Sequence, residues 1–308
     1  MKIVLISMPD VAPVIMHESA FHMPNLGLAG IGANVDEKNE VYVIDLIRKR
    51  RKIRRYLTRV LLKIQPDLVG LSAMTWQYRT CLKLMKLIKT LLPSVNVVLG
   101  GYHASLMYEE ITAHGESCRF DFLIRGEGEE AFKRLVRALA GEDQLASIPS
   151  LSYRKDGKFV HNPKGELLDL SRLRLPIRDK RRLTWGYHIM NHKSEVIETS
   201  RGCTGNCNFC SIRHMYGRSF RPFPIARILA DVDDIYFKRK ARMIFVSDDN
   251  FVLDPERVIA LCDAIIARRY RNLIFVVQAD CVTMARNEEM VEKMALAGFK
   301  SVFLGMEN

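Results

Sequence analysis

Thr199-Ser200-Arg201-Gly202-Cys203-Thr204-Gly205-Asn206-Cys207-Asn208-Phe209-Cys210 is the stretch around which the 308-residue chain is organised. It follows a strand-like run at residues 194–198 and precedes alternating helical and apolar segments. Its three cysteines stand four and then three residues apart, so one short loop can bring three thiolates to one metal centre. Structural zinc sites take four protein ligands, usually as two separated pairs, and iron–sulfur carriers give four cysteines to a four-iron cluster. Three thiolates on such a cluster leave one iron with an open position, which a catalytic metal needs and a structural one avoids. A glycine-bearing loop lets backbone N–H groups turn towards sulfide charge, and Phe209 is placed to shield the centre from water. The residues alone leave open a zinc site completed by a remote ligand such as His214, or cysteines that are neighbours by accident.

Composition bounds the rest. A chain of this length with 48% hydrophobic and 27% charged residues has material for two globular domains. No apolar run approaches the roughly 20 residues that span a bilayer, and Asp10 follows the first apolar run too soon for a secretory signal. Seven cysteines, three of them clustered, argue for a reducing cytoplasm, because disulfides would compete for the same thiolates. Cys81, Cys118, Cys262 and Cys281 are isolated in apolar segments and read as core. Much of the net charge of +12 lies in residues 48–55 and 172–182. Ile53, Leu57, Val60, Leu61 and Ile64 recur at helical spacing through the first of these runs, so its cations read as a solvated helix face and argue against nucleic acid.

Upstream of the loop, residues 2–8, 40–46, 67–75, 95–100 and 120–124 are strand-like, and residues 26–35, 52–64, 78–92 and 129–140 have helical periodicity, with a weaker helix at 106–114. This alternation predicts an α/β fold with a doubly wound, Rossmann-like sheet over residues 1–141, binding its ligand at the carboxyl ends of the strands. Three predicted strand ends carry residues suited to a large polar cofactor: Ser72 to Thr75, Gly100-Gly101 with His103, and Gly126-Glu127. Residues 142–193 read as a hairpin and basic linker. Residues 194–308 restart the pattern, with strands at 194–198, 241–246, 273–277 and 301–304 and helices at 225–238, 255–268 and 287–297, which suggests a partial (β/α) barrel with its site at the strand ends.

Cys-x-x-x-Cys-x-aromatic-Cys after Ser-Arg-Gly resembles the signature of the radical S-adenosylmethionine (radical SAM) enzymes. The resemblance implies a [4Fe-4S] cluster on Cys203, Cys207 and Cys210 whose open iron chelates SAM, and reductive cleavage of SAM to methionine and a 5′-deoxyadenosyl radical. It also implies that Asp248 and Asp249 approach the SAM amino group, and that Glu307, with Gln278 and Phe209, lies near the rest of the molecule. Turn capping by Asp248 and Asp249 is the competing assignment.

The strand ends upstream, in this order and ahead of that motif, resemble the cobalamin-binding domain of cobalamin-dependent radical SAM enzymes. Carried residue by residue, the resemblance places the cobalamin nucleotide tail past Ser72 and the Gly100-Gly101 pair, with Thr75, His103, Gly126 and Glu127 around it. The sequence departs from other cobalamin domains after Asp45, where Leu46, Ile47 and Arg48 stand in place of a loop bearing an axial histidine. His103 is expected to contact the corrin or fill the turn rather than to ligate cobalt.

The resemblance implies methylation of an unactivated carbon or phosphorus centre on a small-molecule substrate, with a reductant such as flavodoxin or ferredoxin. Oxidative ring formation of the tetrapyrrole-cyclase type is the alternative, and a non-catalytic cobalamin or redox sensor is the alternative of another class. The family barrel usually has further βα units, so the chain is expected to be a truncated form or to be completed by a partner.

Overall fold

The computed structural model describes residues 1–10, 21–49, 51–113 and 120–306. Cys118, the last residue of the 106–114 helix and Glu307 lie outside the described residues. The chain divides into two compact units: Met1–Met16, Asn25–Leu168 and Leu173–Trp185 form the first, and His17–Pro24, Asp169–Arg172 and Gly186–Asn308 form the second.

In the first unit the strands Glu40–Asp45, Lys2–Ser7, Leu68–Ser72, Asn96–Gly100 and Phe122–Ile124 lie side by side in that order, all parallel. Lys2–Ser7 is buried from its second residue on, which suits a central strand covered on both faces. Its side chains alternate between two cores: Val4 and Ile6 join one, Ile3 and Leu5 the other. Helices Ile53–Ile64 and Tyr78–Leu91 cover the first with Leu57, Leu61, Leu84 and Ile88. Leu26–Ala33 and Glu129–Leu139 cover the second with Leu28, Phe132 and Leu135.

Register aligns the carboxyl ends. Ser7 pairs with Asp45 on one side and Ser72 on the other, and Ser72 pairs with Gly100. Asp45 then ties this edge together. Its buried carboxylate accepts Ser7 Oγ at 2.6 Å, Asn25 N–H at 2.7 Å and Ile47 N–H at 3.3 Å. Burial pushes the Asp45 carboxyl up from its ordinary pKa, and these three donors oppose the shift.

The hairpin of residues 142–193 is part of this sheet rather than of a linker. Leu151–Lys155 pairs antiparallel with Phe122–Ile124, and Lys158–His161 pairs with Leu151–Lys155. Residues 173–185 are also held to the first unit, through Ile177 N–H to Ala29 O at 3.1 Å and Arg182 N–H to Val43 O at 2.8 Å. Backbone bonding of these kinds is invisible to a reading based on proline and charge content.

The second unit has a six-stranded sheet in the order Phe299–Gly305, Ile274–Asp280, Met243–Val246, His192–Ile197, His188–Ile189 and Phe21–His22. The first four are parallel and the last two are added antiparallel. Helices Ile225–Asp233, Pro255–Ala267 and Glu288–Ala297 connect the parallel strands. The helix expected over residues 225–238 is α-helical only to Asp233. A wider π turn, Asp234–Arg239, follows and holds the Tyr236 ring 4.9 Å from that of Tyr270. Cys81 and Cys262 are buried as expected, but Cys281 is half-exposed because it opens the first turn of the helix Cys281–Arg286. No described helix is long and apolar enough to cross a membrane.

Asp45→Ala removes the shared acceptor of three donors and leaves the Ser7 hydroxyl buried without it; it should lower stability by about 2–4 kcal/mol, read as a lower urea midpoint with an unchanged m-value.

Candidate active site

The strand His192–Ile197 delivers the chain to the cysteine loop at the carboxyl end of the second unit's sheet. The loop leaves and returns through a small clamp in which Ser200 pairs with Pro222 and Arg201 with Arg221. Phe223 N–H closes it by donating to Thr199 O at 2.9 Å. Gly202, at φ +86°, makes the turn into the cysteines, and a Cβ there would lie 2.3 Å from the Ser219 carbonyl oxygen. Only glycine fits both the left-handed backbone and that approach.

Cys203, Cys207 and Cys210 are free thiols. Cys203 Sγ accepts the Gly205 N–H at 3.3 Å, and Cys210 N–H donates to Cys207 O at 3.2 Å. Cys207 is exposed and Phe209 is 74% exposed. Among the described residues no three His, Cys, Asp or Glu side chains converge on a single ion. Thiolates of a four-iron cluster bind three different irons, so they need no such convergence. An amide already directed at one sulfur, on a loop with two more accessible thiols, is a donor set that fits a cluster.

The two aspartates after Met243–Val246 have different roles. Asp248 is 1% exposed, and its carboxylate accepts Thr199 N–H at 2.6 Å, Thr199 Oγ1–H and Ser200 Oγ–H at 2.6 Å. Both oxygens are committed to the segment ahead of the cysteines, so Asp248 organises the loop and does not present a carboxylate for SAM. Asp249 is partly exposed; its Oδ2 accepts Gly202 N–H at 2.9 Å, and burial pushes its carboxyl up to about 6. Gln278 has an exposed side chain, and its carbonyl accepts Phe251 N–H at 3.0 Å. Glu307 lies outside the described residues.

Sequence reading missed Arg257 and Thr199. Arg257 Nη2 donates to Thr199 O at 2.6 Å and to Thr199 Oγ1 at 2.7 Å. It also missed the link at the neighbouring strand end, where Asn250 Nδ2 donates to Asp280 Oδ2 at 3.0 Å. These partners are 30 to 58 residues apart, beyond the reach of any local pattern.

In the first unit Ser72, Gly100, Gly101 and Gly126 lie on one partly exposed rim, with Thr75 exposed beside them. A Cβ on Gly101, at φ +89°, would come within 2.9 Å of both Ser72 Oγ and Ala73 O, so this glycine lets the two loops approach. Ser105 continues the rim, donating to Gly101 O at 2.9 Å and accepting Gly126 N–H at 2.9 Å. His103 is packed beneath it, its ring 4.0 Å from that of Tyr78 and its Nδ1 3.4 Å from Thr75 Oγ1. Burial holds its pKa below the ordinary value, so the imidazole is neutral at pH 7. Glu127 faces the chain instead, accepting Leu168 N–H at 2.8 Å. Small side chains with accessible hydroxyl and amide groups fit a polar nucleotide tail, and among the described residues the loop after Asp45 offers no histidine.

Comparison with known proteins agrees with this division. Residues 12–136 match the B12 binding domain and residues 197–308 match the radical SAM superfamily. The chain is 29% identical over 309 aligned positions to the uncharacterized methyltransferase PH0819 of Pyrococcus horikoshii, covering 100% of this chain and 66% of that protein. Its fold matches OxsB, a cobalamin-dependent SAM radical enzyme solved with aqua-cobalamin and SAM bound, at a TM-score of 0.79 and 21% identity. It also matches TsrM, a radical SAM methyltransferase from Kitasatospora setae solved with tryptophan and a SAM analogue, at a TM-score of 0.80 and 20% identity. Both matches cover the whole of this chain, but 44% of OxsB and 59% of TsrM, so the chain spans less than two thirds of each of these relatives.

Gly202→Ala should destabilise the second unit by at least about 2 kcal/mol in a thermal or urea melt, since strain at positive φ adds to a clash with backbone.

Proposed function

Since the chain joins a B12-binding domain to a radical SAM domain and so belongs to the cobalamin-dependent radical SAM proteins, we propose that it is the cofactor-binding part of a methyltransferase acting on an unactivated carbon or phosphorus centre. The observation that carries this reading is the cysteine loop, anchored at both of its arms at the carboxyl end of a parallel sheet, in a chain that also carries the glycine-lined rim. When bound, the cluster and SAM supply radical chemistry and cobalamin supplies methyl transfer.

The chain's own residues hold and orient these groups. Cys203, Cys207 and Cys210 are the cluster ligands. Asp249 keeps one carboxylate oxygen outside its bond to Gly202, which suits the SAM ammonium group by charge. Phe209, exposed beside the last thiol, is positioned to exclude water once a cluster fills the loop. Ser72, Gly100, Gly101 and Gly126 provide hydroxyl and backbone groups for the cobalamin tail, with Thr75 at its edge, while neutral His103 supports the rim from below. A flavodoxin- or ferredoxin-type reductant would supply the electron, in a cytoplasm that keeps the thiols reduced. Similarity to a methyltransferase along the whole chain favours methyl transfer over ring formation.

The test is anaerobic reconstitution with iron, sulfide and hydroxocobalamin, followed by addition of SAM and dithionite. The chain should retain corrin and cluster absorbance and release 5′-deoxyadenosine, and Cys207→Ala should lose the cluster and the nucleoside but keep the corrin. Retained cluster without corrin would remove cobalamin from the account. Corrin and cluster without SAM cleavage would favour a sensing role.

A further inference from the structure

Three hydrogen-bonding groups meet at the entrance to the cysteine loop. Thr199 Oγ1 accepts from Arg257 Nη2 and donates to Asp248 Oδ2, so the hydroxyl relays a cation on the helix Pro255–Ala267 to a buried carboxylate beyond Met243–Val246. The backbone of the same residue is held three times more, by Thr199 N–H to Asp248 Oδ1 and by Arg257 Nη2 and Phe223 N–H to Thr199 O. Thr199 is 1% exposed. Two consecutive aspartates thus fix alternate points of the lead-in: Asp248 holds Thr199 and Ser200, and Asp249 holds Gly202, the residue before Cys203. Downstream, Cys207 and its neighbours are exposed, and the contacts just described at the thiols are bonds within the loop.

We infer that the Arg257–Thr199–Asp248 clasp is a positioning device, one that sets where the chain enters the cysteine loop and thereby presents Cys203 for cluster binding. The inference rests on the cluster reading above. The strand clamp and Asp249 hold the residues that follow, and the clasp fixes the buried residue from which they start, so the order of this entry governs how many loop conformers can accept the cluster. A buried hydroxyl between a guanidinium and a carboxylate is suited to this, because charged partners on both sides strengthen its bonds and specify their direction.

Thr199→Val tests the clasp by replacing the hydroxyl with a methyl of similar size, leaving the backbone bonds available. In the metal-free 308-residue chain, amide hydrogen exchange over residues 200–207 should become about tenfold faster, the equivalent of losing one charge-assisted bond, while residues 244–246 are unaffected. After reconstitution, Thr199→Val should retain less than about half of the wild-type iron and show a weaker change in the cluster's EPR spectrum on adding SAM, since fewer loop conformers accept the cluster. Thr199→Ser, which keeps the hydroxyl, should restore both, and Arg257→Met should reproduce the valine phenotype from the other side of the relay. Unchanged exchange would overturn the inference, as would faster exchange with wild-type iron content and SAM response. If the wild-type chain took up no cluster, the proposed function would fail, while the exchange experiment would still decide whether the clasp orders the loop.

Discussion

A buried carboxylate must be satisfied, and the two units answer that requirement in the same way. In each, an aspartate at or just beyond the carboxyl end of the second strand in the βα order accepts three donors from the chain around it: one hydroxyl and two backbone amides at Asp45, two hydroxyls and one backbone amide at Asp248. Asp45 accepts from Ser7, which ends the first strand of its unit, and Asp248 accepts from Thr199 and Ser200, just beyond the first strand of the other. In both, the hydroxyl is itself an acceptor, from Leu46 N–H in one and from Arg257 in the other. Burial raises the cost of ionising each aspartate, and the donors lower it again. The edge of a parallel sheet is where loops diverge, so a fixed acceptor there decides which way they leave.

This division explains which parts were legible in the sequence. Valine- and isoleucine-rich runs alternating with helical periodicity identified the parallel strands of both units, because burial on both faces imposes continuous apolar character. The cysteine spacing and Gly202 were legible for the same reason: each requirement is local. The place of the hairpin was not, because Leu151–Lys155 joins the sheet by backbone pairing to Phe122–Ile124, and its side chains do not announce that partner. Asp248 is legible as a carboxylate at a strand end, but its partners are not. A carboxylate beside a cofactor loop and a carboxylate buried under it look alike until the hydroxyls that satisfy it are found 48 and 49 residues away.

The same distinction separates residues that hold from residues that touch. Ser105, which bridges Gly101 and Gly126, and Arg257, which bridges to Thr199, have polar groups engaged by neighbouring loop residues. They restrict the loops on which the exposed groups stand. In each unit the exposed groups at the strand ends stand on loops that polar side chains hold in place.

In the proposed function, three thiolates on one anchored loop hold a four-iron cluster with one iron left open. Mössbauer spectroscopy of the chain reconstituted with iron-57 tests it directly. The account predicts a cluster of four irons in which about a quarter of the signal changes isomer shift when SAM is added, since only one iron lacks a cysteine ligand. A cluster whose irons all ignore SAM, or a site that takes up zinc in place of iron and sulfide, would contradict it.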